Sequence, residues 1–151
     1  MDENEYRSTY NKLINHPCVF AKAINSTQCV CQCCKRIQIA DRIALNCEQL
    51  DEHQQCTAML EKLRTAAQFV LRMPDIAGVL PHNKEIRVQT GGIKGIAAIL
   101  QPHESIDKPD IFQIRTQACI KFGDLNKLPY SEIVRHIMQA RTRRQRSKST
   151  D

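Results

Sequence analysis

Apolar positions along the chain fall into five runs with helical spacing. In residues 2–14, Tyr6, Tyr10, Leu13 and Ile14 recur at three and four, and the run ends before His16 and Pro17. The longest pattern covers about residues 50–72, where Met59, Leu60, Leu63, Ala66, Ala67, Val70 and Leu71 form one stripe, closed by Pro74. Cys56 precedes Leu60 by four and Leu63 by seven, so it belongs to the inner face, with His53 on the same side. A third run, about 91–101, groups Ile93, Ile96, Ala97 and Leu100 behind a capping Thr90 and stops at Pro102. The fourth, about 110–121, starts after Pro109. The fifth, about 130–144, puts Ile133, Val134, Ile137 and Met138 behind Ser131.

Between these runs the chain is less regular. The alternation in "EIRVQ" (85–89) permits a short strand, and the central stretch around it reads as a loop. No internal repeat is visible. The expectation is a mostly α fold of five or six helices: one compact domain over residues 1–140, with a cysteine-rich N-terminal half, an irregular central loop and a basic, disordered tail over 141–151.

Composition sharpens this picture. The chain has no Trp and only seven Phe and Tyr, so its core must rest on aliphatic side chains. The formal charge of +6 resides largely in the tail: without Arg141, Arg143, Arg144, Arg146 and Lys148 it falls to +1. Those arginines are candidates for contact with an anion, a protein partner or nucleic acid, although no aromatic residue stands among them for base stacking. The polar, acidic start lacks the features of a secretory signal, and no apolar run approaches the roughly 18 residues of a membrane span. A cytoplasmic protein without membrane contact is expected.

In a reducing compartment cysteines rarely form structural disulfides, so eight of them point to metal or thiol chemistry. Seven lie within residues 18–56, and "CVCQCC" places Cys29, Cys31, Cys33 and Cys34 within six positions. Thiolates are soft donors that suit zinc and iron–sulfur clusters. Zinc would use the C-x2-C pair Cys31 and Cys34 with His53 and Cys56. A cluster tolerates wider spacing, and four of Cys18, Cys29, Cys31, Cys47 and Cys56, drawn from different helix ends and loops, could hold a 4Fe-4S cube against the core. The cluster is the preferred expectation, with electron transfer, cluster carriage or redox sensing as its role. The zinc alternative makes the chain a nucleic-acid- or protein-binding module. Cys33, Cys34, His53 and His82 are possible additional ligands. Cys119, in "TQACIKF", reads as a small core residue.

Several of these segments resemble a family of small cysteine-rich bacterial proteins: "HPCVFAKA" (16–23), "CVC" (29–31), "IADRIALNC" (39–47), Cys56, "LRTAAQFVL" (63–71), "LPHNKEIRVQTGGIKGI" (80–96) and "LPYSEIV" (128–134). The likeness runs from about His16 to Ile137. It implies that Cys18, Cys29, Cys31, Cys47 and Cys56 are the family positions and that Cys33 and Cys34 are additions. The chain departs from the pattern at Ala40, Asp41 and Arg42, where the family has Gly–Glu–Arg. The resemblance brings no activity with it.

The remaining motifs carry less. "LPHNKEIRVQTGG" gathers His82, Lys84, Arg87 and Thr90 before Gly91 and Gly92, a loop and helix start whose N–H groups can hold an anion. Asp41 and Arg42 read as a surface pair, and Glu104, Asp107 and Asp110 as a solvated acidic loop. No catalytic set assembles. Lys35 and Arg36 beside Cys33 and Cys34 can lower a thiol pKa, which leaves a thiol-based redox protein as a further alternative.

Overall fold

The computed structural model describes residues 1–142. Six helices and one β-hairpin follow in the order α1 (Glu3–Leu13), α2 (Ala21–Asn25), β1 (Cys34–Ile39), β2 (Arg42–Cys47), α3 (Leu50–Ala67), α4 (His82–Leu100), α5 (Ile111–Phe122) and α6 (Tyr130–Gln139), with a 3-10 turn at Leu125–Lys127 before α6. The fold is therefore mostly α, as the periodicity predicts, but not purely helical. No helix among the described residues is long and apolar enough to cross a membrane.

The centre is α4. It buries Ile86, Val88, Thr90, Gly91, Ile93, Ile96 and Ala97, which lie around nearly its whole circumference. A helix wrapped by neighbours loses the one-sided pattern that marks an amphipathic helix. For this reason "EIRVQ", whose alternation allows a strand, is helical, and Thr90 is a buried mid-helix residue rather than a cap. The helix starts at His82, directly after Pro81.

Two glycines let α6 approach α4 closely. A Cβ on Gly91 would lie 2.5 Å from the Ile137 Cα, and one on Gly95 would lie 3.0 Å from the His136 Cβ. Around this contact Phe20, Met59, Leu63, Ile93, Ile96, Ile111, Ile133 and Ile137 are fully buried. α3 ends at Ala67, short of Pro74. Arg72, at φ 54°, and the Met73 N–H bonded to the Gln68 carbonyl turn the chain there. α6 likewise ends at Gln139, before the expected 144.

The hairpin over 34–47 has no counterpart in the helical reading. Its register pairs Ile39 with Arg42 at the turn and Cys34 with Cys47 at the open end. Only Ala40 and Asp41 form the loop, and Ala40 takes φ 56°. α1 covers the hairpin through a small second core of Ile14, Ile39 and Ala44 with Tyr6 and Tyr10. Arg42 stacks 4.3 Å over the Tyr6 ring and pairs with Glu3 at 2.9 Å, so its partner is Glu3 and not the neighbouring Asp41.

Candidate thiol site

Six cysteines from four stretches of chain line one small recess: Cys18, the cluster Cys31, Cys33 and Cys34, then Cys47 of β2 and Cys56 of α3. Phe20, Ile111 and Phe112 form its apolar wall, and Glu52, His53 and Arg115 stand at its edge. All eight cysteines are free thiols.

Each thiol is placed by backbone contacts made outside the recess. The Cys18 N–H donates to the Leu45 carbonyl at 3.0 Å, which ties residue 18 to β2. His53 of α3 donates from Nε2 to the Pro17 carbonyl at 2.8 Å, holding the same segment from the other side. The segment carrying Cys31 is drawn in from far along the sequence. Val30 donates to the Pro109 carbonyl at 3.1 Å and accepts from the Ile111 N–H at 2.8 Å, while the Gln32 N–H donates to an Asp110 carboxylate oxygen at 2.9 Å. That carboxylate also caps α5 by accepting from the Gln113 N–H. The end pair of the hairpin register then sets Cys34 beside Cys47, since paired residues project to one face of a ladder. Cys56 comes from the inner face of α3, as its spacing predicts.

A second layer of contacts runs through α4. Gln89, which is buried, accepts from the Ala23 N–H at 3.0 Å and donates to the Val19 carbonyl at 3.0 Å and to Glu85 at 2.8 Å. Glu85 is in turn paired with Arg64 of α3 at 2.9 Å. This network holds the strand of chain that bears Cys18 against the central helix.

Electrostatics keeps most of these thiols neutral. Burial pushes Cys31 up to about 11, and burial with the nearby Cys31, Cys47 and Cys33 pushes Cys56 up to about 12. Cys33 is raised by burial and by Cys47, against an opposing pull from Arg115. Cys18 and Cys34 are hydrogen-bonded to each other, which raises Cys18 and lowers Cys34. The Cys47 thiol donates to the Gln49 carbonyl at 3.3 Å. A cation arriving here would displace protons from soft donors that water reaches poorly.

The other expected residues lie elsewhere. Cys29 is buried in the main core with 1% exposure, its N–H on the Ala23 carbonyl, and burial pushes it up to about 12. It does not line the recess, whereas Cys33 and Cys34 do. His82 is the exposed first residue of α4, also away from the recess. His53 reaches the edge, but its Nε2 is engaged by Pro17. Cys119 is half-buried against the core. The Arg141 carbonyl accepts from Gln28; Arg143, Arg144, Arg146 and the rest of the basic tail lie outside the described residues. Among the described residues, no three His, Cys, Asp or Glu side chains already stand in metal-holding geometry.

Two residues of the site had gone unremarked: Glu52 and Arg115, which form an ion pair beside the thiols. Both left a signal. Glu52 is one turn before Cys56 on the inner face of α3. Arg115 stands within the stripe of Ile111, Ile114 and Ala118, and a charge on a buried face needs a partner.

No family model, no curated protein and no solved structure matches the chain.

Proposed function

We propose that this chain is a metal-binding protein that carries a thiophilic cation in the recess formed by Cys18, Cys31, Cys33, Cys34, Cys47 and Cys56. The observation behind this reading is the convergence of six thiols, supplied by α3, the hairpin and two loops, on one small space. A core that needed only small apolar residues would have no reason to gather sulfur in this way. The recess holds about 20 Å³, close to the space of a single water. That volume favours one ion such as Zn2+, whose bonds to sulfur are about 2.3 Å long, with the thiols turning about their side-chain bonds to reach it. Six donors exceed the four that zinc needs. A surplus suits a carrier, because one sulfur can leave as another arrives.

The second reading is a resident iron–sulfur cluster in electron transfer or redox sensing. The apolar wall of Phe20, Ile111 and Phe112 favours it, since shielding from water tunes cluster potentials. A four-iron cube would require the walls to move apart.

The test is anaerobic purification of the untagged protein, with zinc, iron and acid-labile sulfide assayed on one sample. Stoichiometric zinc without colour is expected. Matching iron and sulfide would replace the first reading with the second. If the protein neither retains a metal nor takes up added Zn2+, metal binding is wrong and the thiols act as thiols. Cys56→Ser should weaken metal retention at least tenfold while Cys119→Ser leaves it unchanged, and equal loss from both would refute the assignment of the recess.

A further inference from the structure

The recess has an outer neighbour. On the surface beside it lies an open cleft of about 420 Å³, lined by Gln32, Cys33, Cys34, Lys35, Glu48 and Gln49. Of these, Cys33 and Cys34 also line the inner recess, and they are the residues the two spaces have in common. Cys18, Cys31, Cys47 and Cys56 face the recess and do not line the cleft. The six thiols thus divide into an inner four and an outer two that stand between the inner four and the open cleft.

The surroundings suit passage. Across the cleft, Lys35 and Glu48 pair at 3.8 Å with both side chains more than half exposed, a contact worth little and easily opened. The Cys33 carbonyl accepts from the Glu48 N–H at 3.0 Å, and the Cys34 N–H donates to the Cys31 carbonyl at 3.2 Å, so the backbone of the pair is anchored while the thiols face both ways. On the inner side Cys34 lines the recess together with Cys18, which gives a cation on Cys34 a next sulfur in the same space.

We propose that Cys33 and Cys34 are the port through which the cation enters and leaves, and that the inner four thiols are where it resides. This rests on the metal-carrying function proposed above. Entry is a ligand exchange without electron transfer. The Cys33 and Cys34 sulfurs bond to the cation as bonds to its donor's ligands break, and two thiol protons pass to water in the cleft. Cys18 and the other inner thiols then replace the outer pair, each losing its proton, and the outer sulfurs recover theirs. The cation stays divalent throughout. Its source is a donor that presents the ion on exchangeable soft ligands at the cleft.

The experiment uses the full chain loaded with one equivalent of Zn2+ and follows its transfer to a colorimetric zinc chelator, then reloading from a zinc–chelate donor. With bound Zn2+ counted first in each protein, the Cys33→Ser/Cys34→Ser double variant should release and take up the ion at least tenfold more slowly than the unaltered chain. Exchange at the unaltered rate would overturn the port and leave the metal reading intact. Loss of zinc from the double variant would make the pair resident ligands and also overturn the port. Failure of the unaltered chain to bind Zn2+ at all would remove the metal reading and the port with it. A second measurement avoids substitution: in the zinc-loaded protein, alkylation mapped by mass spectrometry should modify Cys33 and Cys34 at least tenfold faster than Cys18, Cys31, Cys47 and Cys56. Equal rates would overturn the proposal.

Discussion

Between α4 and α6 the two backbones nearly touch, and shape alone decides whether the contact forms. Around the thiols the opposite holds. The stretch from Pro17 to Cys34 buries Phe20 and Ile24 in the core, but the segments beside its cysteines are tied by polar contacts from residues far along the chain: Gln89, Asp110 and His53. The first kind of region fails when a single methyl is added, and the second loses its arrangement one attachment at a time. Under the metal-carrying reading proposed above, this division lets the sulfurs shift while the helices behind them stay fixed.

The largest expected effect therefore falls on the helix contact. Gly91→Ala would place its methyl against the Ile137 backbone, which no rotamer change relieves. A loss of about 3 kcal/mol is expected, a fall in melting temperature on the order of 10 °C. Circular dichroism checks this, and an unchanged melting point would mean the helices have slack that the glycine does not reveal.

Next comes the network behind Cys18. Gln89→Leu leaves the Ala23 N–H and the Val19 carbonyl without their partner in a buried place, at about 1–3 kcal/mol for each group left unpaired. Hydrogen exchange should rise around residues 18–24, and Cys18 should become more reactive to a thiol reagent, while α6 exchanges as before. Uniform deprotection along the chain would show that the two regions are not separable.

Alkaline pH should weaken the fold through the buried thiols. A thiol raised from 9.0 binds its proton more tightly in the folded chain, so above pH 9 the folded state carries more protons than the unfolded one and stability falls as pH rises. The loss begins near pH 9 and is complete near the folded values of about 12 for Cys29 and Cys56. Between these limits each such thiol removes on the order of 1.4 kcal/mol per pH unit. Denaturant midpoints measured on the metal-free protein at pH 8 and pH 10 should differ accordingly.

The smallest effect is a gain. Ala40 sits at φ 56° in a two-residue hairpin loop, a conformation that costs a residue with a Cβ about 1–2 kcal/mol. Ala40→Gly relieves this and gives back part of it as chain entropy, for a net stabilisation of about 0.5–1 kcal/mol that a denaturant titration would detect. Because Ala40 lies at the end of the hairpin opposite the Cys34–Cys47 pair, the reactivity of the thiols should not change.

Which parts of this could be read in advance follows from how many sides of an element are covered. α3 and α6 bury one face each, and their stripes were plain. α4 is covered all round, so only its second half, about 91–101, showed a helical stripe, while its first half suggested a loop and a strand. The hairpin was hidden because "CKRIQI" and "RIALNC" alternate weakly, and its turn carries Ala40 in place of the glycine that would signal it. In the site, the clustering of cysteines and the inward face of Cys56 were legible. The division among neighbours was not. Cys29 closes the turn after α2 and stays in the core, and the pairing of Val30 with Pro109 and Ile111 delivers Cys31 to the recess. That pairing spans some eighty residues, beyond the reach of any local pattern.

The same long-range closure has a consequence in time. All six recess thiols are synthesised by residue 56, while Arg115 and the Asp110 carboxylate that complete their surroundings lie more than fifty residues further on. At about 5–20 residues per second of synthesis, the sulfurs wait on the order of 3 to 12 seconds without their covering helix. During each round of translation this protein therefore makes a row of thiols before it can enclose them.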